Sequence, residues 1–335
     1  MRGAPEYASA HVGLANAYVM QFEMTRADPA PDAAALALAL HHAREACRLD
    51  PQSGEAWATL GFALDRSGDC LDARAAAKRA VTLEPDNWRH HFRLSYVSWG
   101  EERLRAAHRT LTLLPDFPLA HWLAATVHVA RQVLSEAERE LEAGLASQEP
   151  TGDSRFSAVA LHWLRGLLHL AHDDETRALE EFERELSFES GGHLYARECA
   201  ANTWYAIGAL RLRQGRRADA GAAFARAIER VPTHPMARVG LVAAGSPDTV
   251  GPPLFDRGTG QPGRRTPSVD ATVFQAAQLV VAGVHSEAAR ILDEALAGAA
   301  AGNAGWLLPI EPLLHVTARP DIWARALAHL RNRAA

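Results

Sequence analysis

The side chains best able to do chemistry here are histidines, sixteen of them in 335 residues. His121 and His128, and again His162 and His169, stand seven residues apart. On a helix that spacing shares one face but separates the rings by about 10 Å. Two imidazoles so placed cannot serve one ion whose ligands lie at roughly 2 Å. His169 and His172, with Asp173 beside them, are the close pair. No His-Glu-x-x-His or Gly-x-Ser-x-Gly motif occurs. An enzyme on this chain would have to combine these histidines with carboxylates such as Glu183 and Glu185 in a deep pocket, and no motif gathers them. The histidines read as half-buried amphipathic packing, with no metal and no cofactor.

The remaining reactive types point the same way. Cys47, Cys70 and Cys199 lack Cys-x-x-Cys spacing, which excludes a cysteine-built zinc site and a disulfide framework. A reducing cytoplasm fits, and Cys199 reads as a buried, inert thiol. Lys78 is the sole lysine among 35 basic residues, so the Gly-Lys-Ser/Thr of a P-loop and the lysine-dependent kinase and Ser-x-x-Lys motifs are missing. The arginine excess reads as the codon bias of a GC-rich bacterial genome. Gly258, Gly260 and Gly263 have dinucleotide-binding spacing, but no strand precedes them and Pro262 interrupts them. With 35 basic against 40 acidic residues, net −5, this chain alone is not expected to bind nucleic acid. No apolar run approaches the roughly 18–20 residues of a membrane span, and the opening MRGAPEYASAH has no signal-peptide core.

The elements that would position any site repeat. Pro51 and Pro85 lie 34 residues apart, as do Ala39 and Ala73, and Ala46 and Ala80. Within 54–87, Trp57, Leu60, Gly61, Ala73, Ala80 and Pro85 mark a unit. Within 201–234, Trp204, Ile207, Gly208, Gly215, Ala220, Phe224, Ala227 and Pro232 mark another in the same register. Small residues allow two helix backbones to approach closely, and a bulky one there overpacks. Proline stops the second helix.

These residues resemble the tetratricopeptide repeat (TPR), a 34-residue helix pair. Weaker copies are expected at 88–117 (shortened), 118–151, 152–189, over the first fifty residues, and after Ala276. The resemblance implies an all-α fold: a right-handed superhelical solenoid of antiparallel helix pairs, about seven units plus a C-terminal capping helix over 305–333. The domain reading is a TPR array over 1–244, a Gly/Pro-rich linker or loop at 245–268, and a final unit with cap over 269–335. Units at 154–189 and 192–234 are oversized, and the first helix of each is expected to be lengthened, as either added contact surface or packing accommodation. Pro5 falls where a preceding unit would end. The opening segment resembles first repeats that follow an effector domain in multidomain bacterial regulators, so the chain reads either as part of a longer architecture or as free-standing.

In the TPR family, certain first-helix positions line the inner face. Projected here they give Arg89, Phe92, Tyr96, Trp99, Trp122, Trp163, Asn202 and Tyr205. Aromatic anchors supply much of the energy of peptide recognition. Two readings stay open: a groove for an apolar or aromatic peptide, or ordinary inter-repeat core. The paired lysines of the family's carboxylate-clamping sites are missing. The expected function is a non-catalytic, cytoplasmic scaffold that binds a protein or peptide. The alternative is a sensing module of a bacterial transcriptional activator, cyclase or kinase.

Overall fold

The computed structural model describes residues 7–148, 156, 158–245 and 268–335. All regular structure among them is helical. Sixteen α-helices follow in chain order: α1 Ala8–Thr25, α2 Ala33–Leu49, α3 Gly54–Ser67, α4 Cys70–Leu83, α5 Trp88–Val97, α6 Glu101–Leu113, α7 Pro118–Ala130, α8 Leu134–Ala146, α9 Leu161–Ala171, α10 Glu175–Ser187, α11 Ala196–Arg213, α12 Arg217–Arg230, α13 Pro235–Ala243, α14 Val269–Val281, α15 His285–Gly298 and α16 Pro320–Arg333. The helices pack in sequential pairs, α1 with α2, α3 with α4, α5 with α6, α9 with α10, α11 with α12 and α14 with α15. This is the all-α, solenoid-like pairing that the repeat implies. The chain divides into two compact units, Met1–Ala124 with Ala146–Phe156, and Ala125–Leu145 with Ser157–Ala335.

In the first unit the repeat residues meet as their sizes demand. Ala39, Ala46, Ala73 and Ala80 are 0% exposed. A Cβ on Gly61 would lie 2.9 Å from the Ala73 carbonyl oxygen, so glycine is what lets α3 and α4 approach. The helix starts are capped: Ser53 Oγ accepts from the Ala56 amide at 3.2 Å, and Asp32 Oδ1 from the Ala35 amide at 2.9 Å. Gly68, with φ of 90°, turns the chain out of α3. Trp57 Nε1 donates to the Pro51 carbonyl at 3.0 Å. His91, which takes the tryptophan position in the next unit, places Nε2 2.8 Å from the Pro85 carbonyl and donates in the same way. The histidine is a structural substitute for the indole N–H, which fixes its proton on Nε2.

The second unit follows the same logic with one variation. A Cβ on Gly208 would meet the Phe224 ring at 2.6 Å, so a glycine on α11 faces an aromatic of α12. The two oversized repeats differ. The helix α11 runs 18 residues, whereas α9 has only 11 and begins at Leu161. The expected extension of α9 across 154–160 is not seen: 158–160 are non-helical, and 149–155 and 157 lie outside the described residues. Ala160 takes a left-handed φ of 77°. The buried Glu185 of α10 then receives the amides of Ala160 at 2.7 Å and Trp163 at 3.1 Å. A carboxylate from the neighbouring helix thus sets where α9 starts.

The end of the chain does two things. The capping helix α16 packs on α15 and buries Trp323 completely. It also reaches back to the turn after α7, where Arg131 Nε donates to the Ala334 carbonyl at 2.8 Å and Gln132 Nε2 to the Leu327 carbonyl at 2.9 Å. Before it, residues 306–318 form only short turns, at Leu308–Ile310 and Val316–Ala318, and the first packs against α9. The proposed linker's residues 246–267, with Gly258, Gly260 and Gly263, lie outside the described residues, as does Pro5.

Candidate partner-binding surface

The helix α5 is short, and both of its ends are pinned. At its start, Asn87 Oδ1 accepts from the Arg89 amide at 3.1 Å. The Glu84 carboxylate accepts from Asn87 Nδ2 at 2.9 Å, His90 Nε2 at 2.9 Å and the Gly54 amide at 3.0 Å. The hydrogen bond from Asn87, helped by those from His90 and Gly54, holds this carboxyl below the usual range against the effect of burial. It also ties the start of α5 to the start of α3. At the other end the buried Arg103 of α6 acts as the cap. Its Nε donates to the carbonyls of Ser95 at 3.0 Å and Ser98 at 2.9 Å, and Nη2 to that of Tyr96 at 3.2 Å. Burial lowers the Arg103 pKa to about 10, so the cation persists at neutral pH.

Between these anchors α5 presents Trp88, Phe92 and Tyr96 at successive four-residue steps along one face. Their rings interlock with aromatics from outside the helix. Phe92 and Tyr96 stand 6.2 Å apart edge to face, and Phe92 meets Phe117 at 4.8 Å. Trp88 meets Phe117 at 4.9 Å and Phe156 at 5.7 Å, and Phe62 of α3 meets Tyr96 at 5.9 Å. Phe117 is buried and nucleates the cluster. Trp88, Phe92, Tyr96 and Phe156 are each only half-buried. Guanidiniums lie over the rings: Arg89 over Trp88 at 4.7 Å, Arg93 over Phe62 at 3.9 Å, and Arg66 over Phe62 at 4.8 Å and Tyr96 at 4.9 Å. Arg66 also pairs with Glu23 at 3.1 Å and Asp65 at 3.6 Å. The helix α5 carries Arg89 and Arg93 and no carboxylate, and α7 carries none.

The sequence-predicted residues therefore divide. Arg89, Phe92 and Tyr96 come together on this face. Trp99 lies just beyond α5, half-buried under the Arg103 guanidinium at 4.7 Å, and Trp122 is half-buried on α7. In the second unit, Trp163 and Tyr205 are corrected from surface to interior: they are 7% and 4% exposed. Trp163 packs within the first turn of α9 closed by Glu185. The Tyr205 hydroxyl donates to Glu311, a residue of the segment 306–318 between α15 and α16. Asn202 Oδ1 accepts from His234 Nε2 at 3.1 Å, while His234 Nδ1 caps α13 by accepting from the Ala237 amide at 3.1 Å. Burial lowers the His234 pKa to about 4, so the ring is neutral and its single proton sits on Nε2. Asn202 thus serves the packing of α11 on α13. Trp88, Phe117 and Phe156 escape the projection because they fall at a helix start and in turns, off the first-helix positions.

The histidines are placed as packing and hydrogen-bonding residues. His162 Nδ1 meets Glu181 at 2.7 Å, with Arg184 and Arg165 also facing that carboxylate at 3.4 Å and 3.8 Å. Burial would raise the Glu181 pKa, but the hydrogen bond from His162 and the two guanidiniums outweigh it and hold the group ionised. Among the described residues no group of three or more His, Cys, Asp or Glu could hold a metal ion, and no helix is long and apolar enough to cross a membrane.

No family model matches the sequence. No curated protein matches it. Solved structures do. A chain of the APC/C hetero-tetramer Cut9-Hcn1 aligns over 72% of this chain at 16% identity and a TM-score of 0.55. A human IFIT1 dimer with PPP-AAAA aligns over 88% at 14% identity and a TM-score of 0.56. This chain spans 43% of the former and 65% of the latter. YrrB, described as a TPR protein with an unusual peptide-binding site, aligns over 57% of this chain and 90% of its own length, at 16% identity and a TM-score of 0.36. At these identities the likeness is one of fold: the chain has a TPR-like, all-helical architecture.

Proposed function

We propose that this chain is a non-catalytic scaffold that binds a protein or peptide through the aromatic and arginine face of α5. The observation that carries the reading is the set of half-buried rings of Trp88, Phe92 and Tyr96, rigidly backed by Phe117 and overlaid by guanidiniums. Rigid aromatic area costs little side-chain entropy on binding and is where interface energy concentrates. Arg89 makes no ion pair among the described residues, and neither α5 nor α7 carries a carboxylate, in a chain of net charge −5. An acidic peptide with an apolar or aromatic residue is the complement. A TPR-like fold, shared with a chain of the Cut9-Hcn1 hetero-tetramer, supports a binding role.

The test is selection of a random peptide library on the full chain beside Trp88→Ala/Phe92→Ala. The wild type should enrich peptides carrying Asp or Glu near an aromatic or Leu. The double variant, with an unchanged circular dichroism spectrum, should lose them by at least about tenfold, the worth of one desolvated anchor. Equal recovery by both chains would discard the surface.

A further inference from the structure

We infer that residues 306–318 are a resident peptide ligand, and that the face of α9 and α11 beneath them is a peptide-binding site for an extended Leu- and Pro-rich segment bearing one buried glutamate. This site belongs to the second unit, whereas the α5 surface belongs to the first.

Four observations carry the inference. First, the segment WLLPIEPLLHVTA folds as a docked strand of turns rather than as a repeat helix. Its backbone bonds close local turns, with Leu308 donating to Gly305, Ile310 to Leu307 and Leu314 to Glu311. What seats it is side chains: Leu308, Ile310, Leu313, Leu314 and Val316 are each buried to 4% exposure or less. Second, the contact is centred on a polar pair. The Tyr205 hydroxyl donates to Glu311, whose carboxyl also receives the Leu313 amide at 3.3 Å. A core built only for cohesion gains nothing from a buried carboxyl, whereas a site that selects a sequence does: the hydroxyl is left unpaired by any occupant without an acceptor. Third, Tyr205 lies in the middle of α11, 4% exposed, so the segment closes over the body of a repeat helix and not over its end. Fourth, the segment is seated with backbone strain. The space left between it and the helices, bounded by Leu170, Arg213, Pro309, Glu311 and His315, is about 20 Å³, room for about one water. His315 holds a left-handed φ of 50°, a conformation non-glycine residues rarely adopt.

The segment is tethered at both ends, by α15 and α16, so it competes in cis at an effective concentration of roughly millimolar. A free peptide whose Kd for the emptied face is about 10 μM should then bind the wild-type face about a hundredfold more weakly. Removing the glutamate in cis weakens the resident segment and orphans Tyr205, and a glutamate supplied in trans restores the bond.

The experiment is fluorescence anisotropy of a labelled peptide with the sequence of residues 305–318, added to the full chain. Glu311→Ala should bind it at least about tenfold more tightly than wild type, and tenfold more tightly than a peptide with alanine in place of the glutamate. Adding Tyr205→Phe should erase that preference. A Glu311→Ala chain with a wild-type circular dichroism spectrum that takes up neither peptide, or both equally, would overturn the inference. Hydrogen exchange on the wild type gives an independent reading. Amides of 308–316 should exchange at least about tenfold faster than those of 200–210 in α11 if the segment detaches, and equal protection would overturn the inference.

Discussion

The second unit buries two titratable groups on either side of one tyrosine, and their protons pull stability in opposite directions. The Tyr205 ring lies 5.3 Å from the ring of His234, and its hydroxyl donates to Glu311. Burial raises Glu311 from 4.5 to about 7 against the hydrogen bonds from Tyr205 and Leu313. The folded state therefore holds a proton the unfolded chain has released. The associated stability is fully present below pH 4.5 and is lost as pH rises through 7. Two and a half units at about 1.4 kcal/mol each make this about 3 kcal/mol. Burial lowers His234 from 6.5 to about 4. Its stability is present above pH 6.5 and is lost as pH falls through 4, again by about 3 kcal/mol. The two nearly cancel in the wild type between about pH 4.5 and 6.5. Glu311→Gln keeps an acceptor for the tyrosine and unmasks the histidine, so its stability should climb by about 3 kcal/mol across that window. His234→Asn keeps an N-cap acceptor and unmasks the glutamate, so its stability should fall by a similar amount as pH approaches 7. Urea unfolding followed by circular dichroism, taken as variant minus wild type at each pH, removes the other titrating groups. A difference curve for Glu311→Gln that is flat with pH would refute the burial argument for the carboxyl.

Other consequences are simpler. Gly61→Val should cost about 1–3 kcal/mol, because the new side chain meets the Ala73 carbonyl across the α3–α4 contact. Gly13→Ala on α1 meets nothing within 4 Å and should stabilise by about 0.5–1 kcal/mol; chemical denaturation reads both. Arg103→Ala strips the donors from the C-terminal carbonyls of α5 and should cost about 2–4 kcal/mol, with a change in tryptophan fluorescence as Trp99 loses its guanidinium cover.

Most of the pairing is written in the small residues. Ala39 and Ala73, and Ala46 and Ala80, recur at the repeat spacing because two helix axes can close only over small side chains, and all four are fully buried. His91 is legible for a related reason: an N–H donor at the tryptophan position needs the same proline carbonyl. The start of α9 is not legible, because it is fixed by Glu185, 25 residues away on another helix, and local helical periodicity extends past it. The interior fate of Tyr205 is hidden for the same kind of reason. Its partner is 106 residues distant in a stretch with no repeat register, so a projection along the repeat places the ring at a face without knowing what lies on that face.

That contrast separates the two aromatic sets. On α5 the rings are backed by other rings and arginines and stay partly exposed, while Glu84 and Arg103 serve polar atoms at the two ends of the helix from within the helical framework. Tyr205, by contrast, has its hydroxyl satisfied by a carboxyl carried on a turn segment, and desolvation drives the tyrosine's own pKa well upward. Remove the segment and a polar group is left at the bottom of an apolar face. A surface of the first kind can wait empty for a partner. A surface of the second kind is complete only when a carboxyl is seated on it, so binding there should discriminate by that carboxyl, while binding on α5 should discriminate by ring burial and charge.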